Sequence, residues 1–339
     1  GLRYTDEDKD WIGRNQVFIQ ALNGGFDPNF TVDDLVEPLD GADFARFPTG
    51  VVRDSESWSE PTYRLNLSYQ FSDDIFGYFT YARGFRSGGY NDQTGTTGFP
   101  ITPELAAPYE PEFANSYEFG VKTDLLDDRL RFNATFFNVD YEDAQRALVA
   151  TLENEFGQTF QETRFFNAAE LNVKGIELEA TALISDNFTI NANFGYLDGE
   201  YDKFEADTDG DGTIDVDFSD RPLQRAPEYQ FTVGGTYDQQ LSNGGTILYN
   251  LNAYYEDESV YIYSDVDSSF DTFIPSKTLI NGSVTYFAPN DQYYVRLFAR
   301  NLDDERYVNA AQPVANLWTF GTYGEPRTYG LEVGFGWDF

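Results

Sequence analysis

The chain has 339 residues and a formal net charge of −36, and it contains neither cysteine nor histidine. The negative charge argues against nucleic-acid binding, and the missing side chains exclude disulfides, thiolate catalysis and histidine-based hydrolases. Aromatic residues make up 17% of the chain, yet it has no run of 18 apolar residues that could form a membrane-spanning helix. An antiparallel β-barrel that is apolar outside and wet inside accounts for both properties.

Segments in which apolar and polar residues alternate strictly recur along the chain. The first clear one is TYRLNLSYQF at 62–71. The others are SYEFGVK (116–122), RLRFNATF (129–136), NFTINANFGY (187–196), YQFTVGGTY (229–237), TILYNLNAYY (246–255), YYVRLF (293–298) and LEVGFGWDF (331–339). Successive side chains of a strand point to opposite faces, so the pattern predicts an all-β fold of about twelve antiparallel strands.

Short turns alternate with long loops between these segments. The turns are at 71–74, 125–129, 184–187, 241–245 and 288–291, and the loops are at 13–50, 91–111, 150–165, 206–226, 266–276 and 303–325. Outer-membrane barrels show this asymmetry, with short periplasmic turns and long extracellular loops. The alternative is a soluble sandwich or solenoid, which would turn the aromatic rows inward. In the barrel, the last strand is expected to close against the first, with the apolar row of 331–339 facing lipid.

The sharpest local motif is DTDGDGTID at 207–215, in the fourth long loop. Oxygen ligands at alternate positions, followed by a glycine that permits a sharp turn, are the pattern of calcium-binding loops. The candidate ligands are Asp207, Asp209, Asp211, Thr213 and Asp215. Position 12 of the pattern should be an acid but is Phe218, for which Asp217 or Asp220 can substitute. The alternative is an acidic, solvated loop, which is common in a chain this negative.

Charged residues recur in the rows predicted to face the lumen. They are Arg64, Arg129, Arg131, Arg296 and Arg300, with Lys122, Glu118, Glu177, Glu179 and Glu332. They can line a ligand path or grip a plug by bidentate pairing, or they can pair with one another in the wall of a wet barrel. The five arginines, with Trp318 and Tyr323, are the ligand-path candidates. The loop aromatics (Trp318, Phe320, Tyr323, Tyr261 and Tyr263) fit either stacking on a ligand or an interfacial girdle.

Six blocks, in order, resemble TonB-dependent outer-membrane receptors. They are YARGFRSGGYND (81–92), YEPEFANSYEFGVKTDLLDDRLRFNATFFNVDY (109–141), NAAELNVKGIELEA (167–180), RAPEY (225–229), ARNLDDERYVNA (299–310) and EPRTYGLEVGFGWDF (325–339). Such transporters have about 22 strands around a plugged lumen. The resemblance therefore implies that residues 1–339 are the C-terminal part of the barrel domain, with the plug and the TonB box outside this chain.

The resemblance also implies partners. They are outer-membrane lipid and lipopolysaccharide, TonB through the plug segment, a small-molecule ligand, and the barrel-assembly machinery, which would recognise the terminal aromatic Phe339. Calcium is the one cofactor that the sequence suggests.

The function implied by the resemblance is TonB-dependent active import of a ferric siderophore complex across the bacterial outer membrane. The alternatives are a passive porin-like channel and TonB-dependent uptake of cobalamin or an oligosaccharide. An outer-membrane enzyme or adhesin is a further class, but the chain lacks histidine and shows no carboxylate pair with a defined partner, so we expect no enzyme. A plug and signal peptide encoded upstream would favour the transporter, and a few more strands alone would favour the channel.

Overall fold

The computed structural model describes residues 1–14, 51–91, 107–153, 159–208, 212–262, 272–314 and 318–336. Within these ranges the regular structure is β-strand, apart from one 3-10 turn at Pro289–Asp291. No helix in them has the length and apolar character needed to cross a membrane. The prediction of an all-β fold is confirmed.

The described part of the chain contains seventeen strands in three antiparallel sheets. They are β1 (Leu2–Arg14), β2 (Val51–Ser72), β3 (Ile75–Arg86), β4 (Glu112–Leu125), β5 (Leu130–Glu153), β6 (Thr159–Ser185), β7 (Phe188–Ala206), β8 (Val216–Asp217), β9 (Tyr229–Gln240), β10 (Thr246–Glu256), β11 (Ser259–Ile262), β12 (Thr272–Ile274), β13 (Lys277–Phe287), β14 (Tyr293–Arg300), β15 (Val308–Val314), β16 (Trp318–Tyr323) and β17 (Thr328–Phe335).

The main sheet follows the chain order β1-β2-β3-β4-β5-β6-β7-β9-β10-β13-β14-β17, with β8 paired to β7. These twelve consecutive strands agree with the predicted number. The pairs β11–β12 and β15–β16 lie within long connections and were not expected from the sequence. In the described residues β17 pairs with β14 alone and β1 with β2 alone, so the expected closure of the last strand on the first is not present there.

The connections of the main sheet fall into two sets, one at each end of the sheet. The long loop predicted at 150–165 is shorter than expected, because β5 extends to Glu153 and β6 begins at Thr159. Because neighbouring strands are antiparallel, the five predicted short turns lie together at one end and the long connections at the other. The β4–β5 turn contains Leu126, Asp127 and Asp128, all with φ between 55° and 61°. Aspartate tolerates this left-handed region better than most residues, which explains the aspartates in this turn.

The face of the sheet that carries Leu65, Phe119 and Leu331, here called the outer face, is apolar across all twelve strands. These three side chains are 52%, 56% and 65% exposed. One register row on this face runs Phe79–Phe119–Phe136–Ile176–Tyr196–Tyr229. The row that lies four residues closer to the long loops is entirely polar. It runs Arg83–Asn115–Asp140–Asn172–Glu200. The apolar band therefore ends abruptly, as a lipid-facing surface does at the headgroup boundary.

The opposite face, here called the inner face, is polar and hydrogen-bonded across strands. Asn66 donates to the Thr80 hydroxyl (2.8 Å), and the Asn281 amide donates to the Asn252 side chain (3.0 Å). Aromatic rings on this face also lie over glycines of the next strand: a Cβ built on Gly120 would be 2.3 Å from the Tyr78 ring. The polar pairs and the aromatic rings packed on glycines thus fix the strand register of this wall without an apolar core.

The orientation can be tested on the full-length parent with single-cysteine variants, since this chain contains no cysteine. Ile214, in the long β7–β9 connection, is 55% exposed, and Asp127 is exposed in the β4–β5 turn. We expect a membrane-impermeant maleimide to label Ile214→Cys in intact cells and to leave Asp127→Cys unlabelled. Both should react after the outer membrane is permeabilised, and the reverse pattern in intact cells would contradict the orientation.

Candidate functional site

The long-loop end of the inner face holds the only hydrophobic core cluster found in the described part of the chain. The connection after β7 folds inward, and Phe218 packs edge-on against Phe204 with ring centroids 5.3 Å apart. The Tyr201 ring contacts Phe204 at a tilt of 52°, with centroids 4.8 Å apart, and Leu223 lies over Gly199. Phe218 is 6% exposed, so burial of its ring holds this loop against the barrel wall.

The β3–β4 connection crosses β1 and β2 at the long-loop end and packs on them. This packing is here called the second cap, and the packing of the β7–β9 connection against Phe204 is the first cap. Gly88 sits on the Trp58 ring, and a Cβ there would be 2.2 Å from the Tyr109 carbonyl oxygen, so only glycine fits. Trp58 Nε1 donates to Glu110 (3.2 Å), and Lys9 Nζ donates to the Gly88 carbonyl (2.6 Å). Burial is the main cause that raises the pKa of neighbouring Tyr90 to about 12, and the Asp54 carboxylate contributes. Its phenol is therefore neutral at physiological pH.

Residues of β5 join the two caps. Gln145 is 3% exposed and donates from Nε2 to the carbonyls of Ser87 (2.9 Å) and Glu110 (3.0 Å). The Glu112 carboxylate accepts the Gln145 backbone N–H (2.8 Å) and lies 3.9 Å from the Arg146 guanidinium. Arg146 in turn lies 5.9 Å from the centre of the Tyr201 ring. Within the described residues, the contact between Arg146 and the Tyr201 ring therefore links the β3–β4 connection to the cluster around Phe204.

The structure separates the predicted ligand-path arginines into two groups. Arg129 lies in the β4–β5 turn, outside the strand rows where we expected it, and pairs with Asp186 at 3.5 Å. Arg131 also lies at the short-turn end, where Asp124 accepts from its Nε at 2.7 Å. Arg296 is on the inner face of β14 and pairs with Glu332 at 3.6 Å. Each of these three arginines pairs with an acidic residue of the chain, and this pairing accounts for its presence without a ligand.

The remaining predicted residues lie nearer the long loops. Arg300 ends β14, with its guanidinium 5.7 Å from the Phe298 ring. Trp318 and Tyr323 lie in β16 and are 56% and 71% exposed. Arg64, on β2, lines a recess of about 740 Å³ that also contains Arg3 and other residues of β1 to β3.

The predicted calcium loop is described only in part, because Asp209 and Asp211 lie outside the described residues. Asp207 accepts the Gly212 backbone N–H (2.7 Å), and Asp215 accepts both the backbone N–H and the hydroxyl of Thr208 (2.7 and 2.9 Å). Among the described residues there is no group of three or more metal-ligating side chains. Asp217 is not drawn into this loop: its pKa is lowered mainly by the Ser219 backbone N–H that it accepts.

A family model described as "TonB dependent receptor-like, beta-barrel" matches residues 1–302. The chain belongs to this family. Its members are transport receptors of the Gram-negative outer membrane rather than enzymes, which agrees with the apolar outer face and the division between short turns and long loops.

Curated relatives of this receptor barrel include a probable siderophore receptor and a ferrioxamine B receptor. The probable TonB-dependent siderophore receptor PiuA of Acinetobacter baumannii is 25% identical over 277 residues, which are 81% of this chain and 33% of that protein. The ferrioxamine B receptor of Salmonella typhimurium is 23% identical over 258 residues, 74% of this chain and 31% of that protein. The chain thus spans about a third of the length of these relatives.

Solved structures show the same fold. The ferric yersiniabactin uptake receptor FyuA of Yersinia pestis superposes with a TM-score of 0.63 at 16% identity, covering 84% of this chain and 38% of that one. The ferric-catecholate import receptor Fiu of E. coli in its closed form gives 0.62 at 19% identity, covering 98% of this chain and 41% of that one.

Sequence reasoning did not find several side chains that build the loop end of this receptor barrel. They are Arg3, Lys9, Trp58, Arg86, Gln145 and Arg146. One signal was available: Pro61 interrupts an alternating strand segment, and proline within a strand marks a place where a ladder ends.

Proposed function

We propose that the full-length protein imports a ferric siderophore complex across the outer membrane with energy supplied through TonB. The observation that carries this proposal is the match of residues 1–302 to the receptor barrel family, because one curated relative is named as a probable siderophore receptor and another as a ferrioxamine B receptor. The structure supports it with a polar inner wall and with loops that fold over the wall at one end.

Energy coupling follows from physical constraints on such a barrel. A plugged barrel with a tight outer site cannot release its ligand inward by diffusion at a useful rate. The outer membrane has no nucleotide to drive opening, so the energy has to arrive through a periplasmic partner. We infer that TonB acts on the plug segment N-terminal to this chain.

The inner face offers the plug a place to bind. Glu118 on β4 and Glu177 on β6 both lie on the inner face, on either side of β5, with Thr135 beside Glu177. Within the described residues neither carboxylate has a lysine or arginine nitrogen within 4.0 Å. We infer that basic side chains of the plug pair with these two glutamates. Exchanging both for glutamine should release the plug to added protease more readily; unchanged plug protection would contradict the pairing.

Radiolabelled uptake tests the proposed function. Cells that carry the full-length receptor should accumulate a ferric siderophore only when TonB and the inner-membrane proton gradient are intact, and binding at the cell surface should persist without TonB. Non-saturating uptake without TonB would establish the passive-channel alternative. If the cells take up cobalamin or an oligosaccharide in a TonB-dependent way but no iron chelate, the proposed cargo is wrong and the transporter class stands.

We also propose that the loop 207–215 binds Ca²⁺ weakly, with Asp207, Asp209, Asp211, Thr213 and Asp215 as the ligands. Its support is the ligand spacing, together with the hydrogen bonds from Gly212 and Thr208 that hold the carboxylates of Asp207 and Asp215. Extracellular sites of this kind have Kd values of about 10⁻⁴–10⁻³ M. Millimolar Ca²⁺ should protect this loop of the full-length receptor from protease, and Asp209→Asn/Asp211→Asn should remove the protection. Protection that persists in this variant would argue against the site.

Finally, we infer that the barrel-assembly machinery recognises the terminal Phe339. That residue lies outside the described part of the chain, and the inference depends on the family's terminal aromatic and on the outward row that leads to it.

A further inference from the structure

A recess opens on the inner face where β2 and β3 part. Their ladder ends at the pair Tyr63–Arg83, although β2 continues beside β1 and β3 continues beside β4. Proline explains the end of the ladder. Arg64 donates its backbone N–H to Gly1, so along β2 the even-numbered N–H groups point to β1 and the odd-numbered ones to β3. Pro61 has no N–H to give β3.

The recess has a volume of about 740 Å³ and a small-residue floor. Ala82 and Gly84 form the floor, and a Cβ built on Gly84 would meet no atom within 4 Å, so the space above it is open. The hydrogen bonds of Lys9 to Ser87 and Gly88 close the end nearer the long loops.

Four arginines line this recess, and one of them, Arg83, pairs with Glu142 at 3.4 Å. The other three are Arg3 on β1, Arg64 on β2 and Arg86 on β3. Within the described residues none of them has a carboxylate oxygen within 4.0 Å, although the chain has 58 acidic residues. The carboxylate that lines the recess, Glu7, pairs with Lys9 at 3.4 Å. Glu112, opposite Arg86, is held by Gln145 and Arg146. The recess thus concentrates positive charge without a counter-ion from the wall.

We propose that Arg3, Arg64 and Arg86 form a binding site for an anionic iron chelate, one whose outer atoms are carboxylate or phenolate oxygens. This rests on the proposed function and narrows its cargo class. Guanidinium groups bind such oxygens by paired, charge-assisted hydrogen bonds. A chain with a net charge of −36 repels a polyanion over most of its surface, so a local excess of arginine is what allows one to bind. A neutral chelate gains nothing from this recess.

The test is calorimetric titration of the purified full-length receptor with two probes, a trianionic ferric tris-catecholate and a neutral ferric trihydroxamate. The recess variant is Arg3→Gln/Arg64→Gln/Arg86→Gln. The matched control, Arg129→Gln/Arg131→Gln/Arg296→Gln, removes the same charge elsewhere, at arginines that pair with acidic residues of the chain. We expect the recess variant to lose at least about tenfold in affinity for the trianionic probe, since charged hydrogen bonds are lost, and the control to bind as the parent does. Added salt should reduce the difference between the parent and the recess variant in affinity for the trianionic probe.

Equal affinity of the recess variant and the parent for the trianionic probe would overturn the proposal, as would binding of the neutral probe alone or of neither probe. Unchanged affinity together with a lower melting temperature of the recess variant would also overturn it, and would assign the three arginines a structural role. Failure of the proposed function looks different: no iron chelate then accumulates in a TonB-dependent way. If the parent accumulates an iron chelate in a TonB-dependent way but the recess variant binds the trianionic probe as tightly as the parent does, only the anion site fails.

Discussion

Gly175→Val is expected to abolish folded receptor in the outer membrane. Gly175 lies in β6, between β5 and β7, and a Cβ there would be 2.3 Å from the Tyr196 carbonyl oxygen and 2.6 Å from the Phe137 ring. The ring can move, but the carbonyl belongs to the β7 backbone, so the ladder itself has to shift. Overpacking of a well-filled site typically costs about 1–3 kcal/mol, and a displaced backbone exceeds that range.

Gly195→Val is the matched control for this substitution. It adds the same side chain on the neighbouring strand, where a Cβ would meet only the Gln230 carbonyl oxygen at 4.0 Å. Heat-modifiable receptor in outer-membrane fractions measures folding directly. Loss with Gly175→Val and near-normal levels with Gly195→Val are expected; equal levels of the two variants would show that β7 yields easily at this point.

Replacing Phe339 with aspartate is expected to reduce the amount of assembled receptor strongly. The outward row of β17 ends in Leu331, Val333 and Phe335, all exposed on the outer face, and Phe339 continues that alternation in sequence. A charged residue on the lipid face costs about 2–4 kcal/mol at mid-membrane and only about 0–1 kcal/mol near the interface, where a terminus lies. An assembly defect larger than this small cost would therefore reflect recognition by the assembly machinery.

The measurement separates the two effects. Folded receptor in the outer membrane reports assembly, and the melting temperature of whatever fraction does assemble reports stability. The control is Asp338→Asn. It also alters the terminus, but at the neighbouring position, which belongs to the other row of the alternating sequence. Normal amounts of folded Phe339→Asp receptor would refute the assembly signal.

The sequence was sufficient for the architecture because a lipid-facing sheet obeys a simple rule. Period-2 alternation assigns each side chain to a face, as Leu65 on the outer face and Asn66 on the inner face illustrate. Turn residues such as Asp127 and Asp128 then fix where each strand reverses. Those two signals suffice for the number, order and direction of the twelve strands along the main sheet, since each of them pairs with the next. The short strands within the long connections were not predicted.

The candidate site was harder to predict from the sequence, because it depends on contacts between residues that are far apart in the chain. Trp58 and Gly88 are 30 positions apart by number, and no alternation pattern relates a strand residue to the loop that covers it. The same holds for Arg3, which joins Arg64 and Arg86 only through sheet pairing. Arg129 shows the opposite difficulty: it fits an alternating row in sequence but belongs to a turn. Periodicity assigns faces and leaves loop packing undetermined.

The burial of Trp58 under Gly88 also has an optical consequence. The indole is 6% exposed and hydrogen-bonded to Glu110, whereas Trp318 is 56% exposed. An indole in so shielded a place emits at shorter wavelength than one in water. Movement of the Ser87–Gly88 segment away from β2 would admit water to the ring and shift its emission to the red. The receptor thus carries a built-in fluorophore beside the Ser87–Gly88 segment at the end of its arginine recess, which would report a displacement of that segment without any added dye.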